Sequence, residues 1–175
     1  MKKIILIAVL AVAGLATAVA QPRAIGVNLG YGVDISYQHS IGESNMIDLS
    51  VNIPAFVGIG ATATYDWVNP FGTAIPWDYE GQWNWNLGVG AGAGIYHPFA
   101  TVSEPNEQGQ LDKVWAGMIY AGAVGHVGVS YDFWFPLQLS LDYRPNVGIY
   151  TSHGGVHFNM TGLITGVTLG VRYLF

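Results

Sequence analysis

Trp83-Asn84-Trp85-Asn86-Leu87-Gly88-Val89-Gly90-Ala91-Gly92-Ala93-Gly94-Ile95 decides the fold. Every odd position is apolar and every even position is Gly or Asn. That period of two sorts the side chains of an extended strand onto opposite faces. The same alternation extends in both directions along the chain. Ile25, Val27, Leu29, Tyr31, Val33, Ile35 and Tyr37 alternate with Gly26, Asn28, Gly30, Gly32, Asp34, Ser36 and Gln38. Ile47, Leu49, Val51 and Ile53 alternate with Asp48, Ser50 and Asn52. No helical period follows residue 20, so the chain is read as all-β.

Half of the residues are apolar (51%) and 10% are charged. Yet beyond residue 20 no stretch approaches the roughly 20 consecutive apolar residues of a membrane helix. Period-two sequence serves two barrels: a soluble one, apolar inside and polar outside, and its inverse, which crosses a bilayer. Three features favour the inverse. The polar face is mostly Gly, Asn, Ser and Thr rather than the Lys and Glu of a hydrated surface. Large aromatics gather near strand ends, as interfacial girdles require. Finally, Thr168-Leu169-Gly170-Val171-Arg172-Tyr173-Leu174-Phe175 ends on an aromatic residue, and Thr168, Gly170, Tyr173 and Phe175 form a pattern like the C-terminal signal presented to the outer-membrane assembly machinery.

At the other end, Lys2 and Lys3 precede an apolar run from Ile4 to Val19, and Ala18-Val19-Ala20 supplies the small residues of a cleavage site. Residues 1–20 are therefore expected to be a cleaved signal peptide and 21–175 a single barrel domain. No Cys is present, which excludes lipoprotein anchoring and disulfide stabilisation. Four Lys or Arg then face eleven Asp or Glu, a formal charge of −7 that argues against nucleic acid and against a basic membrane-surface patch.

Pro and Gly clusters mark strands near 24–30, 33–41, 46–54, 57–68, 83–97, 115–133, 137–150 and 161–175. The expected fold is an eight-stranded antiparallel up-and-down transmembrane β-barrel. A turn at Gly30-Tyr31-Gly32 is preferred to a bend within 24–40; with a bend, 151–160 would have to supply the eighth strand. With the N-terminus in the periplasm, Tyr37, Tyr65, Trp67, Trp83, Trp85, Tyr131, Phe133, Tyr173 and Phe175 fall on the periplasmic side as one girdle. Tyr31, Phe56, Tyr96, Phe99, Trp115 and Tyr150 fall towards the outside. Gly42-Glu43-Ser44-Asn45 and Phe135-Pro136 read as tight turns, and 98–114 and 151–160 as longer outer loops. In the connection 69–82, Pro76, Trp77 and Tyr79 suggest a segment folded back on the interface.

The chain resembles the small eight-stranded outer-membrane β-barrel domain family of Gram-negative bacteria over nearly all of 21–175. The resemblance is carried by 24–32 leading into Ile35-Ser36-Tyr37-Gln38-His39, by 84–92, and by Phe135-Pro136-Leu137-Gln138-Leu139-Ser140-Leu141-Asp142-Tyr143-Arg144-Pro145. It implies outer-membrane location and architecture and no reaction.

Candidate chemistry is sparse. The glycine run 88–94 lacks the helix a dinucleotide fingerprint needs; inward glycines instead leave room for larger side chains on facing strands. His153 and His157 lack a third metal ligand, and Glu104, Glu107 and Asp112 lack the spacing of a calcium loop. His126 and Ser130 lie four residues apart on one strand, about 13 Å, too far for direct proton transfer. No catalytic residue, cofactor or metal is expected. The inward charges are expected in two layers, Asp34, Asp142 and Arg144 towards the outside and Asp48, Asp66, Asp132 and Arg172 towards the periplasm, each arginine forked onto a carboxylate. The expected function is that of a monomeric, non-enzymatic outer-membrane protein with a filled lumen, in a structural or surface-loop role. Its partners would be outer-membrane lipid, periplasmic chaperones and the assembly machinery, and no nucleic acid. The alternatives are a narrow cation-preferring pore and, third, a lipid- or peptide-acting enzyme.

Overall fold

The computed structural model describes residues 23–55, 57–72, 80–106, 110–152, 155–160 and 166–175. The strands are β1 (Arg23–Leu29), β2 (Gly32–Ile41), β3 (Asn45–Pro54), β4 (Gly58–Pro70), β5 (Gly81–Tyr96), β6 (Thr101–Pro105), β7 (Leu111–Trp115), β8 (Met118–Phe133), β9 (Leu137–Tyr143), β10 (Asn146–Ser152), β11 (Gly155–Asn159) and β12 (Val167–Leu174). The expected signal peptide lies outside the described residues, as do Phe56, Pro76, Trp77, Tyr79, Glu107 and His153.

β1 to β5 pair successively, β5 pairs with β8, and β8 pairs with both β9 and β10. β12 pairs with β9 on one side and β1 on the other, which closes the sheet into an antiparallel barrel of eight wall strands. Two of those wall strands are split. β9 and β10 meet at Arg144 and Pro145, where proline offers no N–H to the ladder. β11 follows β10 in the same way that β12 follows β9. The last residue takes part in closure, because Phe175 N–H donates to Arg23 O (2.8 Å) and Arg23 N–H to Phe175 O (3.0 Å).

Gly30 and Tyr31 form a turn, and Leu29 pairs with Val33. Two boundaries differ from expectation. The connection 98–114 contains the β6–β7 hairpin, a separate two-stranded sheet, and Trp115 belongs to it rather than to β8. Segment 151–160 is not a loop throughout, since β10 runs to Ser152 and β11 pairs back along it. Val156, Phe158 and Met160 alternate with His157 and Asn159, a strand period confined to five residues.

Following paired residues around the wall gives the stagger. From Asn28 through Asp34, Asn52 and Gly60 the path reaches Gly94 on β5. From Asn28 the other way, through Gly170, Ser140 and Ser130, it reaches Asn84. The offset of ten residues is the shear, and with eight strands it sets a tilt of about 40°. One end, here the loop end, carries the β6–β7 hairpin; the other, the turn end, carries both chain ends of the barrel and the connections at 42–44 and 134–136.

In every wall strand but β11 even-numbered residues face inward and odd-numbered ones outward; in β11 the parity is reversed, with Val156 and Phe158 exposed and Phe158 opposite Ile149. The barrel is inside out: Ile35 (60%) and Val89 (58%) are exposed, whereas Asp66 (0%), His126 (0%) and Arg172 (1%) are buried.

Candidate functional site

The interior is filled by hydrogen-bonded polar side chains whose meeting depends on glycine. Asp66, Gly88 and His126 are consecutive partners across β4, β5 and β8. With no side chain at Gly88, Asp66 Oδ1 reaches over β5 to His126 Nδ1 at 2.7 Å. A Cβ at 88 would collide with that same Oδ1. Gly128 plays the same part between Asn86 and Asp142, and Gly170 between Asn28 and Ser140; a Cβ at either would strike both flanking side chains. These three inward glycines are thus gaps into which side chains from both flanking strands reach.

His126 is the hub. Its Nε2 lies 3.1 Å from Asp142 Oδ1, so both ring nitrogens face carboxylate oxygens, an arrangement satisfied when each carries a proton. Asp142 Oδ2 accepts from Arg172 Nη2 at 3.0 Å and from Ser140 Oγ at 2.7 Å. Arg172 also donates to Ser36, Asn28, Ser140 and Gln138. Gln138 Nε2 continues to Asp132 (2.7 Å), which Asn84 also holds (2.9 Å). One chain of contacts therefore runs Asp66, His126, Asp142, Arg172, Gln138, Asp132.

Arg144 forms a second cluster. Its Nη1 and Nη2 fork onto Asp48 at 3.2 and 2.9 Å, and Gln38 Nε2 supports that carboxylate at 2.9 Å. Nη1 also donates to Ser50 Oγ (3.1 Å), which is itself in close contact with Thr62 Oγ1.

The pairing differs from two separate layers. Arg144 was expected among Asp34 and Asp142 but takes Asp48; Arg172 was expected among Asp48, Asp66 and Asp132 but takes Asp142, through one nitrogen rather than a fork. The cause is the shear. Asp48, in the turn-end half of β3, shares a continuous row of partners with Thr64, Gly90, Val124 and Asn146, two residues from Arg144, so the row climbs from the turn end of one strand to beyond the middle of another. Position along a strand does not give height in a barrel so staggered. Asp34 lies at the loop-end cavity. His126 was not included among the charges; its even position midway along β8 was the available signal.

Two vestibules flank the plug. The loop-end cavity, about 400 Å³, is lined by Asp34, Asn52, Arg144, Asn146 and a set of tyrosines; the turn-end cavity is about 110 Å³. Tyr96 and Tyr150, expected near the outside, do lie at the loop end but point inward with Tyr120, so they line the cavity instead of girdling the wall. At the turn end an aromatic series does form: Trp83 to Tyr131 (5.0 Å), Tyr131 to Phe133 (4.7 Å) and Phe133 to Phe135 (5.1 Å). Tyr65 contacts Trp67, and Tyr173 stacks on Phe175. Of the terminal pattern, Thr168 and Gly170 face inward and Tyr173 and Phe175 outward.

The remaining described candidates lie apart from one another. Both nitrogens of His126 engage carboxylates rather than Ser130. His157 stacks on Tyr150 (5.1 Å), and Asp112 accepts from Asn106 (3.2 Å). Among the described residues no group of three or more His, Cys, Asp or Glu is placed to hold a metal ion.

Such an object belongs to the class of closed, eight-stranded antiparallel barrels with an apolar exterior and a charged, packed interior. No protein-family model, curated protein or solved structure matches the chain.

Proposed function

We propose that this chain is a non-enzymatic integral outer-membrane protein of the small eight-stranded barrel kind. In this reading its plugged lumen does not conduct, and its loop end is presented outside the cell. The observation that carries the reading is the inside-out distribution of side chains. From Trp85 to Ile95 the outward face of β5 is apolar over ten residue steps, about 33 Å of strand and, at a tilt of about 40°, about 25 Å of height. That is the height of a lipid-facing barrel band. In water the same surface would be a far larger apolar patch than soluble monomers carry. The partners are then membrane lipid, periplasmic chaperones and the assembly machinery that receives β12.

Two experiments test location and orientation. Deleting Phe175 removes its stacking on Tyr173 and its two hydrogen bonds to Arg23, and is expected to leave the chain unfolded and degraded in the periplasm. Recovery of the unaltered protein as a soluble periplasmic species would defeat the membrane reading. On intact cells a membrane-impermeant thiol reagent should label Ser103→Cys in β6 and spare Ser44→Cys in the 42–44 turn. The opposite result would invert the topology.

A narrow cation-preferring pore is the second reading, favoured by the excess of buried carboxylates over arginines. In a planar bilayer the unaltered protein should show negligible conductance, and a cation-preferring leak should appear when Arg144 and Arg172 are both replaced by Ala. Stable single-channel currents from the unaltered protein would favour the pore.

A further inference from the structure

We propose that the loop-end vestibule is a binding site for a neutral sugar of one or two pyranose rings. Its volume, about 400 Å³, lies within the range of small-molecule pockets. Its wall combines two kinds of group. Asp34, Asn52, Arg144 and Asn146 are planar polar side chains that can each engage adjacent hydroxyls with two atoms. Tyr31, Tyr96, Tyr120 and Tyr150 add flat apolar faces with a hydroxyl at the tip, suited to the C–H face of a sugar ring.

The site is built, and part of it is unsatisfied. Arg144 is 7% exposed and held by Asp48, yet its Nε is a buried donor without a partner among the described residues. Thr168 Oγ1, in the same wall, is likewise without one. Tyr120 Oη donates to Asn146 Oδ1 at 3.0 Å, which holds those two side chains in place before any ligand arrives. At the rim, Pro54 and Tyr96 are each followed by a non-glycine residue in the left-handed region, Ala55 and His97, both at φ 48°. Backbone strain of this kind gathers where side chains must be aimed.

Charge selects the class of sugar. Arg144 is already neutralised by Asp48, and Asp34 adds a further carboxylate to the wall. A uronate or sugar phosphate would meet net negative charge, whereas a neutral ring meets acceptors and donors without repulsion.

The test uses the folded barrel in lauryldimethylamine oxide micelles, so its outcome does not depend on where the barrel resides. Cellobiose, chitobiose and glucuronate are titrated while backbone amide shifts are followed. The expected result is saturable shifts around Asp34, Tyr96 and Tyr120 with at least one disaccharide and none with glucuronate. Tyr96→Ala and Asp34→Asn should each weaken binding by about tenfold. Asp132→Asn, at the opposite vestibule, should leave it unchanged. Heat-dependent gel migration checks that each variant is folded; if one is not, Tyr31→Ala, in the exposed β1–β2 turn, replaces it. Absence of saturable shifts with both disaccharides at about 50 mM, a limit that corresponds to less than 2 kcal/mol of binding, would overturn the proposal. So would binding of glucuronate as tight as that of the neutral sugars, or binding unaffected by loss of the cavity side chains.

Discussion

Arg172→Leu is expected to lower the free energy of unfolding by about 3–5 kcal/mol, the usual result of removing one partner of a buried ion pair. The guanidinium is 1% exposed and donates to Ser36, Gln138, Ser140, Asn28 and Asp142 at 2.6–3.2 Å. Leucine fills part of the volume but leaves Asp142 without that cation and the neutral acceptors without donors. Arg172→Lys should recover little, since an ammonium is a point donor that cannot span acceptors on β1, β2 and β9 together. Adding Asp142→Asn to Arg172→Leu should deepen the loss, because Asp142 Oδ1 still holds His126 Nε2 at 3.1 Å and an amide there weakens that pair as well. Urea unfolding of protein refolded in lipid vesicles, followed by tryptophan emission, measures all three. A change below about 1 kcal/mol for Arg172→Leu would mean that the plug contributes little to stability.

Gly88→Val is expected to be at least as severe, a loss of about 3 kcal/mol or more, or no folded barrel at all. The new Cβ would occupy the space of Asp66 Oδ1, whose approach to His126 over the bare backbone of β5 is one of the contacts holding three strands together. The clash and the lost ion pair can be separated. In Gly88→Ala with Asp66→Ala the collision is relieved while the pair stays broken, so the double variant should be more stable than the sum of the two single losses predicts. Simple additivity would show that residue 88 does not act through Asp66. Gly128→Val should behave alike through Asn86 and Asp142.

These two residues show where sequence reading stops. That Gly88 and Arg172 lie on the polar face follows from alternation alone, because period two is a local property of extended chain. The strand spans followed for the same reason: 33–41, 46–54 and 137–150 lie within a few residues of β2, β3 and the β9–β10 wall strand. In segment 151–160 the alternation covers only 156–160, shorter than a spanning strand, and β11 is held in place by pairing to β10.

What no local pattern contains is which inward residues meet. Arg144 reaches Asp48 and Arg172 reaches Asp142 because closure at a shear of ten residues tilts the strands and slides each relative to the next. The stagger is a property of the closed ring. It appears only when β12 pairs with β1, so the charge pairing, the glycine gaps and the tyrosine-lined vestibule all belong to the tertiary structure. Local alternation was enough to make the strands among the described residues legible, each apolar on one face and polar on the other. Closure decided that the polar face would lie inside, and which of its charges would neutralise one another.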